Sequence, residues 1–309
     1  MLDIAIIGSL NEPEVVRLVN CLEALGRSPL IIDSFALPQQ HELTFMDGSW
    51  RYDGHELSAV KAFFVHSLYC TEVAADSAEE LGYHINALQE KDSFLSSLLR
   101  WAAMRKRLVI NPVDAVSCCH YRLGTLSLLT DAGVPVPATL GTNNAGIIAS
   151  FTKSHSQLVF KHLTGNARSV PIDADDLSAP FLERLQSTLI MLQERIEGDT
   201  IRAYVLGNEV LAAAKIIANP LHSRTGQPDF QPTTLSGAEA ADVIRAARLM
   251  SLSFAGIDVK RTPGGRHFLL DVNPAPAFAS FEKSTGLEIA SRIAQHLIEA
   301  TLNRAVALP

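Results

Sequence analysis

The chain has 309 residues, of which 47% are hydrophobic and 19% charged, enough apolar material for two or three packed domains and too much for a disordered protein. Its formal net charge of -7 provides no basic field for nucleic acid, and no stretch approaches the roughly 18 apolar residues of a membrane span, so neither nucleic acid nor membrane is an expected partner. The amino-terminal segment Met1 to Gly8 is too short in apolar run and too acidic for a signal peptide, and a soluble cytoplasmic protein is expected. Cys21, Cys70, Cys118 and Cys119 lack metal-ligand spacing, and the adjacent pair would bridge itself only under strain, so all four are expected to be reduced core thiols.

Residues 1–112 predict an α/β domain. Ile4 to Ile7 is an apolar strand ended by Gly8, and Glu12-Pro13-Glu14 opens a helix with Val15, Val16, Val19, Leu22 and Leu25 on its apolar side and Gly26 as its stop. Leu30 to Asp33 is the next strand. The loop after the first strand lacks the three-glycine dinucleotide fingerprint, so no such cofactor is expected there. Thr44 to Leu57 predicts a hairpin and Val60 to Val65 a strand. Asp92 to Met104 predicts an amphipathic helix with Phe94, Leu95, Leu98, Leu99 and Ala102 inward, and Leu108 to Ile110 a strand closed by Asn111-Pro112.

A second unit begins near Tyr121 with a helix carrying Leu123, Leu126, Leu128 and Leu129, ended by Gly133. Val134 to Pro137 runs extended, and Leu158 to Lys161 is a buried strand whose lysine either snorkels to the surface or serves a ligand. Leu189 to Arg195, Ile201 to Leu206 and Glu209 to Ile217 read as strands, so Lys161, Arg202 and Lys215 are expected to converge on a polyanion. Ser236-Gly-Ala-Glu239 is a capping box opening a helix that buries Val243, Ala247 and Met250. Next comes a predicted hairpin, Leu252 to Arg261 and His267 to Asn273 around Pro263-Gly264-Gly265, and last a packing helix from about Leu287 to Leu302.

A turn centred on Gly264 and Gly265 places Asp258 directly opposite Asp271. Like charges so placed repel, and a hard divalent cation bound by carboxylates and phosphate removes the repulsion, with Asn273 as a further oxygen ligand on the same face. An exposed acidic hairpin without a ligand is the alternative; the apolar run Phe268 to Leu270 favours the metal.

From Asn111 onward the order of segments resembles the ATP-grasp superfamily, nearest its RimK-type glutamate ligases. The resemblance rests on Gly133 to Thr139, Leu158 to Lys161, Gln193 to Gly198 with Ile201-Arg202, Gly256 to Val259, Leu270 to Pro274 and Phe281 to Ala290, six segments in the family's order. It implies an α/β then α+β architecture, with an amino-terminal α/β (pre-ATP-grasp) domain, a small ATP-grasp lobe over 113–190 and a larger lobe with the metal site over 191–309. It further implies that Arg122 and Lys161 contact nucleotide phosphates. Gln193, Glu194, Arg195 and Ile196 form the adenine hinge, and Asp199 or Thr200 binds the ribose. Arg202 and Lys215 meet the terminal phosphate or an acyl-phosphate, while Asp258, Asp271 and Asn273 hold Mg2+, for which Mn2+ substitutes.

The implied activity is that of an ATP-dependent carboxylate-amine ligase, which phosphorylates a carboxylate from ATP and lets an amine displace the phosphate. Such chemistry relies on positioning and charge neutralisation rather than on a nucleophilic side chain. The implied partners are small carboxylate and amine substrates, with glutamate or a similar amino acid added to a peptide, protein or coenzyme acceptor; a homo-oligomer is left open. Several positions depart from the pattern. Tyr121-Arg122 stands where Asp-Lys is usual, and the loop His162 to Ser169 keeps only Gly165, with Arg168 as a substitute contact. Asp229 to Thr234 lacks the arginine and asparagine usual there, and Asp271 replaces a glutamate. Two alternatives therefore stand beside the ligase: a nucleotide-binding regulatory or scaffold protein that has lost turnover, and a phosphotransferase that forms no amide.

Overall fold

The structure is a computed structural model that describes residues 2–68, 77–163, 169–172, 189–217 and 229–303. Cys70, His222, Gly165 and Arg168 lie outside the described residues. The chain forms two compact units, Met1–Val113 with Leu252–Phe254 and Ala275–Pro309, and Asp114–Ser251 with Ala255–Pro274.

The first unit is built on a parallel sheet of β1 (Ile4–Gly8), β2 (Leu30–Asp33), β6 (Ala62–Val65) and β7 (Leu108–Ile110), in the order β2-β1-β6-β7. All five residues of β1 are buried, the pattern of a strand covered on both faces. Helix α1 (Pro13–Ala24) buries Glu14, Val15, Leu18 and Leu22 and leaves Val16 and Leu25 exposed, so its inner stripe follows the 15, 18, 22 spacing and is narrower than expected. Three short antiparallel strands, β3 (Leu43–Met46), β4 (Ser49–Tyr52) and β5 (His55–Glu56), replace the expected hairpin, and β4 turns Trp50 and Tyr52 into the core.

Helix α2 (Ala78–Met104) is twice as long as the segment expected from Asp92. Ser77 caps it, accepting a hydrogen bond from the Glu80 amide at 3.1 Å. Its second half buries Leu95, Leu98, Leu99 and Ala102, whereas Phe94, expected inward, is exposed. Two helices from the end of the chain complete this unit, α7 (Ala279–Thr285) and α8 (Ala290–Asn303). The buried Glu282 carboxylate accepts from the Ile289 and Ala290 amides, both at 2.6 Å, and so satisfies donors at the start of α8 while it pairs with Arg17 at 2.8 Å. Asn111, also buried, donates to the Phe254 carbonyl at 2.6 Å and accepts from the Ser253 and Phe254 amides at 2.8 and 3.0 Å, tying residues 252–254 to the end of β7.

The second unit carries α3 (Val113–His120), α4 (Arg122–Asp131) and α5 (Ala145–Ser154) with a four-stranded antiparallel sheet. That sheet runs β10-β9-β11-β8, where β8 is Thr139–Thr142, β9 Leu158–Lys161, β10 Val170–Ile172 and β11 Ile190–Glu194. A five-stranded antiparallel sheet follows, in the order β14-β13-β12-β15-β16, from β12 (Asp199–Leu206), β13 (Glu209–Ile217), β14 (Asp229–Pro232), β15 (Phe254–Arg261) and β16 (His267–Asn273). Helix α6 (Gly237–Leu249) opens on the expected capping box and covers one face of this sheet. Two ion pairs fix it there, Glu239 with Arg261 at 2.6 Å and Asp242 with His267 at 2.8 Å. Gly198 precedes β12 with a φ of +133°, and a Cβ there would overlap the Arg261 carbonyl, so only glycine fits. Among the described residues, no helix is long and apolar enough to cross a membrane.

Candidate functional site

The hairpin of β15 and β16 does place Asp258 opposite Asp271, by a route different from the one expected. Near the turn the partners are Arg261 with His267, Lys260 with Phe268 and Val259 with Leu269, one residue out of step with a turn centred on Gly264 and Gly265. A β-bulge at Leu270 then inserts one residue into β16 and restores the register for Asp258-Asp271, Ile257-Val272 and Gly256-Asn273. The bulge has a second effect: the Leu270 carbonyl accepts a hydrogen bond from Lys161 Nζ at 3.3 Å, which brings the lysine of β9 beside the two aspartates.

Residues directly opposed in an antiparallel pair share a face, and neighbours along a strand alternate. Arg202 donates from Nε and Nη2 to the two carboxylate oxygens of Asp258, both at 2.8 Å, which places Arg202 and Asp258 on one face. Thr200 shares it, with Oγ1 accepting from Lys260 Nζ at 3.0 Å. The opposite face carries α6. Lys215 lies opposite Ile201 in the ladder, and Ile201 alternates with Arg202, so Lys215 belongs to the α6 side. There its ammonium meets Asp199 at 2.6 Å. Thus the structure brings Lys161, Arg202, Asp258, Asp271 and Thr200 together and does not bring Lys215 or Asp199 to them. Arg122 joins instead, reaching Asp271 at 3.4 Å and lining a small cleft with Lys161, Met191, Asp271 and Cys119.

The charges in this group are tensioned by burial. The Asp271 carboxyl is raised above the usual carboxylate range, first by burial and then by the charge of Asp258, against the pull of Arg122 and Lys161. Lys161 is lowered by burial, with Asp271 opposing. Burial also works against the Arg202 charge, but its hydrogen bonds to Asp258 outweigh this and hold the guanidinium above its ordinary value. Cys119 is pushed up to about 12 by burial, so it stays a thiol. Cys118 is exposed and Cys21 partly so, contrary to the expectation that all four thiols are core residues.

The donor set fits magnesium. Two opposed carboxylates and an Asn273 side chain two residues along β16 supply hard oxygen atoms, and Mg2+ commonly takes one or two carboxylates with substrate phosphates. In the structure arginines do the neutralising, and a cation bound to the same carboxylates would serve in their place.

The residues expected to form the adenine hinge, Gln193 to Ile196, occupy the end of β11 and the loop after it. Gln193 is buried and donates to Thr139 Oγ1 at 2.9 Å, which clamps β11 to β8. Glu194, Arg195 and Ile196 line a cleft of about 410 Å3 with Thr262, Pro263, Arg266 and Phe268. Because of the bulge, Phe268 lies on the same face as Lys260 and Thr200. Sequence reasoning missed Lys260, Phe268 and Thr139. Lys260 was accessible to it, being two residues from Asp258 and therefore on the same face; Phe268 was not, since its face depends on the bulge.

A family model described as the RimK-like ATP-grasp domain matches residues 126–297. A probable alpha-L-glutamate ligase of Stutzerimonas stutzeri (strain A1501) is 29% identical over 213 residues, covering 65% of this chain and 70% of the relative. The probable alpha-L-glutamate ligase of Vibrio atlanticus (strain LGP32) is 26% identical over 263 residues, 78% and 85% of the two chains. Among solved structures, the ATP-grasp ligase PsnB complexed with minimal precursor, Mg and ADP superposes with a TM-score of 0.87 at 26% identity, covering 97% of this chain and 98% of that one.

Proposed function

The chain belongs to the RimK-like ATP-grasp family, and from that premise we propose that it activates a carboxylate of a peptide or protein as an acyl-phosphate and couples it to an amine, glutamate or a similar amino acid. It is an ATP-dependent ligase that forms carbon-nitrogen bonds. The observation that carries the finer reading is the direct opposition of Asp258 and Asp271 on a sheet face that also presents Arg202, with Lys161 and Arg122 alongside.

Under this reading Glu194, Arg195 and Ile196 line the adenine cleft, and Gln193 holds their strand in place. Thr200, on the face of Arg202, is assigned the ribose rather than Asp199. Lys161 and Arg122 take the inner phosphates, and Arg202 faces the terminal one. Asp258, Asp271 and Asn273 would hold magnesium, which would supply Lewis-acid neutralisation of phosphate charge. A substrate carboxylate oxygen attacks the terminal phosphorus and the bond to the ADP oxygen breaks. The amine nitrogen then attacks the acyl carbon, the carbon-oxygen bond to phosphate breaks, and the nitrogen loses its proton to phosphate or water. Arg202 holds the transferring group in line and balances the charge that builds on it. Lys215, paired with Asp199 on the other face, is assigned to fixing β12 against β13.

The names of the relatives support glutamate as the amino acid, and the precursor bound to PsnB supports a peptide acceptor. Purified protein incubated with MgATP, glutamate and acidic peptides, with ADP release followed and products weighed by mass spectrometry, tests the reading. A product heavier than the peptide by one glutamate residue is expected; ADP release with no amide product contradicts it.

A further inference from the structure

The five-stranded sheet sets the charged groups in a row. Lys161 and Arg122 approach Asp271 on β16, Asp258 follows on β15, and Arg202 on β12. A phosphate chain bound along this row has its terminal phosphorus at Arg202. A carboxylate that attacks in line must then lie farther along the same face, over β13 and β14, which stand about 5 and 10 Å beyond β12 at the usual strand spacing.

The register shows what that part of the face presents. Arg202 is opposite Ala214, so Ala214 and Ile216 share its face on β13. Ala214 is opposite Pro232 and Ile216 is opposite Phe230, which extends the same face onto β14. All four residues are apolar. Of the ionic residues of these two strands, Lys215 and Asp229 alternate onto the α6 side, as does Gln231, and Glu209 stands at the far end of β13, opposite Leu206 and away from Arg202. Ala214 and Phe230 are buried, while Ile216 is half-buried and Pro232 exposed, so the accessible part of this face is made by Ile216 and Pro232. A face that is ionic from β16 to β12 thus turns apolar at the point where the acid must sit. A second carboxylate placed there would lose its hydration without gaining a cation from the described residues of this part of the face.

We propose that Ile216, with Pro232 beside it and the buried Phe230 backing it, determines specificity by selecting an acid whose reacting carboxylate is flanked by an apolar side chain. This rests on the ligase reading above. Two probes differ only in the flank: N-acetylated dipeptides ending in glutamate, preceded by leucine in one and by aspartate in the other. Hydroxylamine serves as the amine, so that the acid alone is compared, and hydroxamate and ADP are measured together. The leucine probe should exceed the aspartate probe by about tenfold or more in kcat/KM, the scale on which an apolar contact discriminates. Ile216→Arg should reverse or abolish that ratio while MgADP affinity stays at the parent value. Should that variant fail to fold, Ile216→Thr keeps the β-branch and should cut the ratio about threefold.

Equal use of the two probes, or preference for aspartate, overturns the inference and leaves the ligase reading standing. Absence of hydroxamate from both probes also overturns it, and a parallel titration in which MgADP fails to bind brings down the ligase reading as well.

Discussion

Replacing Arg202 with Met removes the charge at nearly constant side-chain length and separates the two roles given to this residue. Arg202 makes two charge-assisted hydrogen bonds of 2.8 Å to Asp258. Each is worth roughly 1.5–3 kcal/mol in a buried setting. The side chains keep 27% and 19% of their exposure, so solvent screening reduces the pair toward the surface range, and a loss of about 2 kcal/mol is expected. Urea unfolding in the presence of a chelator measures it. Magnesium should then narrow the gap, because a cation between Asp258 and Asp271 relieves the repulsion that the variant leaves behind. Turnover should fall by about 100- to 1,000-fold, the usual consequence of removing a group that stabilises developing charge. A stability change below about 0.5 kcal/mol on the scale of an exposed pair, together with ADP release at the parent rate, would refute both roles.

Two further substitutions test the frame that holds the site and the fold around it. Glu239 is 2% exposed, yet its carboxyl is held below the usual range, because hydrogen bonds from Arg261 and Ser236 outweigh the burial that opposes its charge. Glu239→Gln should cost about 2 kcal/mol at pH 7, below the scale of a fully buried pair because the Arg261 side chain keeps 30% of its exposure. Since the folded value is the lower one, this stabilisation is complete above the unfolded value of about 4.3 and disappears as pH falls through the folded value; urea midpoints of parent and variant should therefore converge in acid, and a constant gap would contradict the assignment. Asn111→Ala strips partners from three backbone groups of Ser253 and Phe254, for an expected loss of about 3–5 kcal/mol by urea unfolding, given about 1–3 kcal/mol for each buried polar group left unpaired. A loss under about 1 kcal/mol would mean that water replaces those bonds.

Much of this site was legible because its parts sit on strands, where alternation fixes the face from residue number alone. The Asp258-Asp271 pairing could be read, but through a compensation: the turn is out of step by one residue, and the Leu270 bulge corrects it. No local signal marks that bulge, since Leu-Leu in a strand fits either register. The three-cation cluster was misread for a related reason. Lys215 and Arg202 fall on opposite faces only because a β-bulge in β13, between the pairs Val205-Val210 and Tyr204-Ala212, shifts the register of the tight β12-β13 turn by one residue and sets Lys215 opposite Ile201. The first half of α2 was obscured because Leu81, Tyr83 and Ile85 are exposed and blur the apolar stripe, although Ser77 and Glu80 carry the spacing of a capping box. Helix α3 was missed beside Pro112, where the turn signal hid a helix start.

The most direct test of the account is a crystal structure of the protein grown with MgADP. The account predicts a metal ion with oxygen atoms of Asp258 and Asp271 at about 2.0–2.1 Å, the diphosphate beside Lys161 and Arg122, and Arg202 released toward the terminal phosphate position. Nucleotide bound elsewhere, with the Arg202-Asp258 pair intact and no metal between the aspartates, would contradict it.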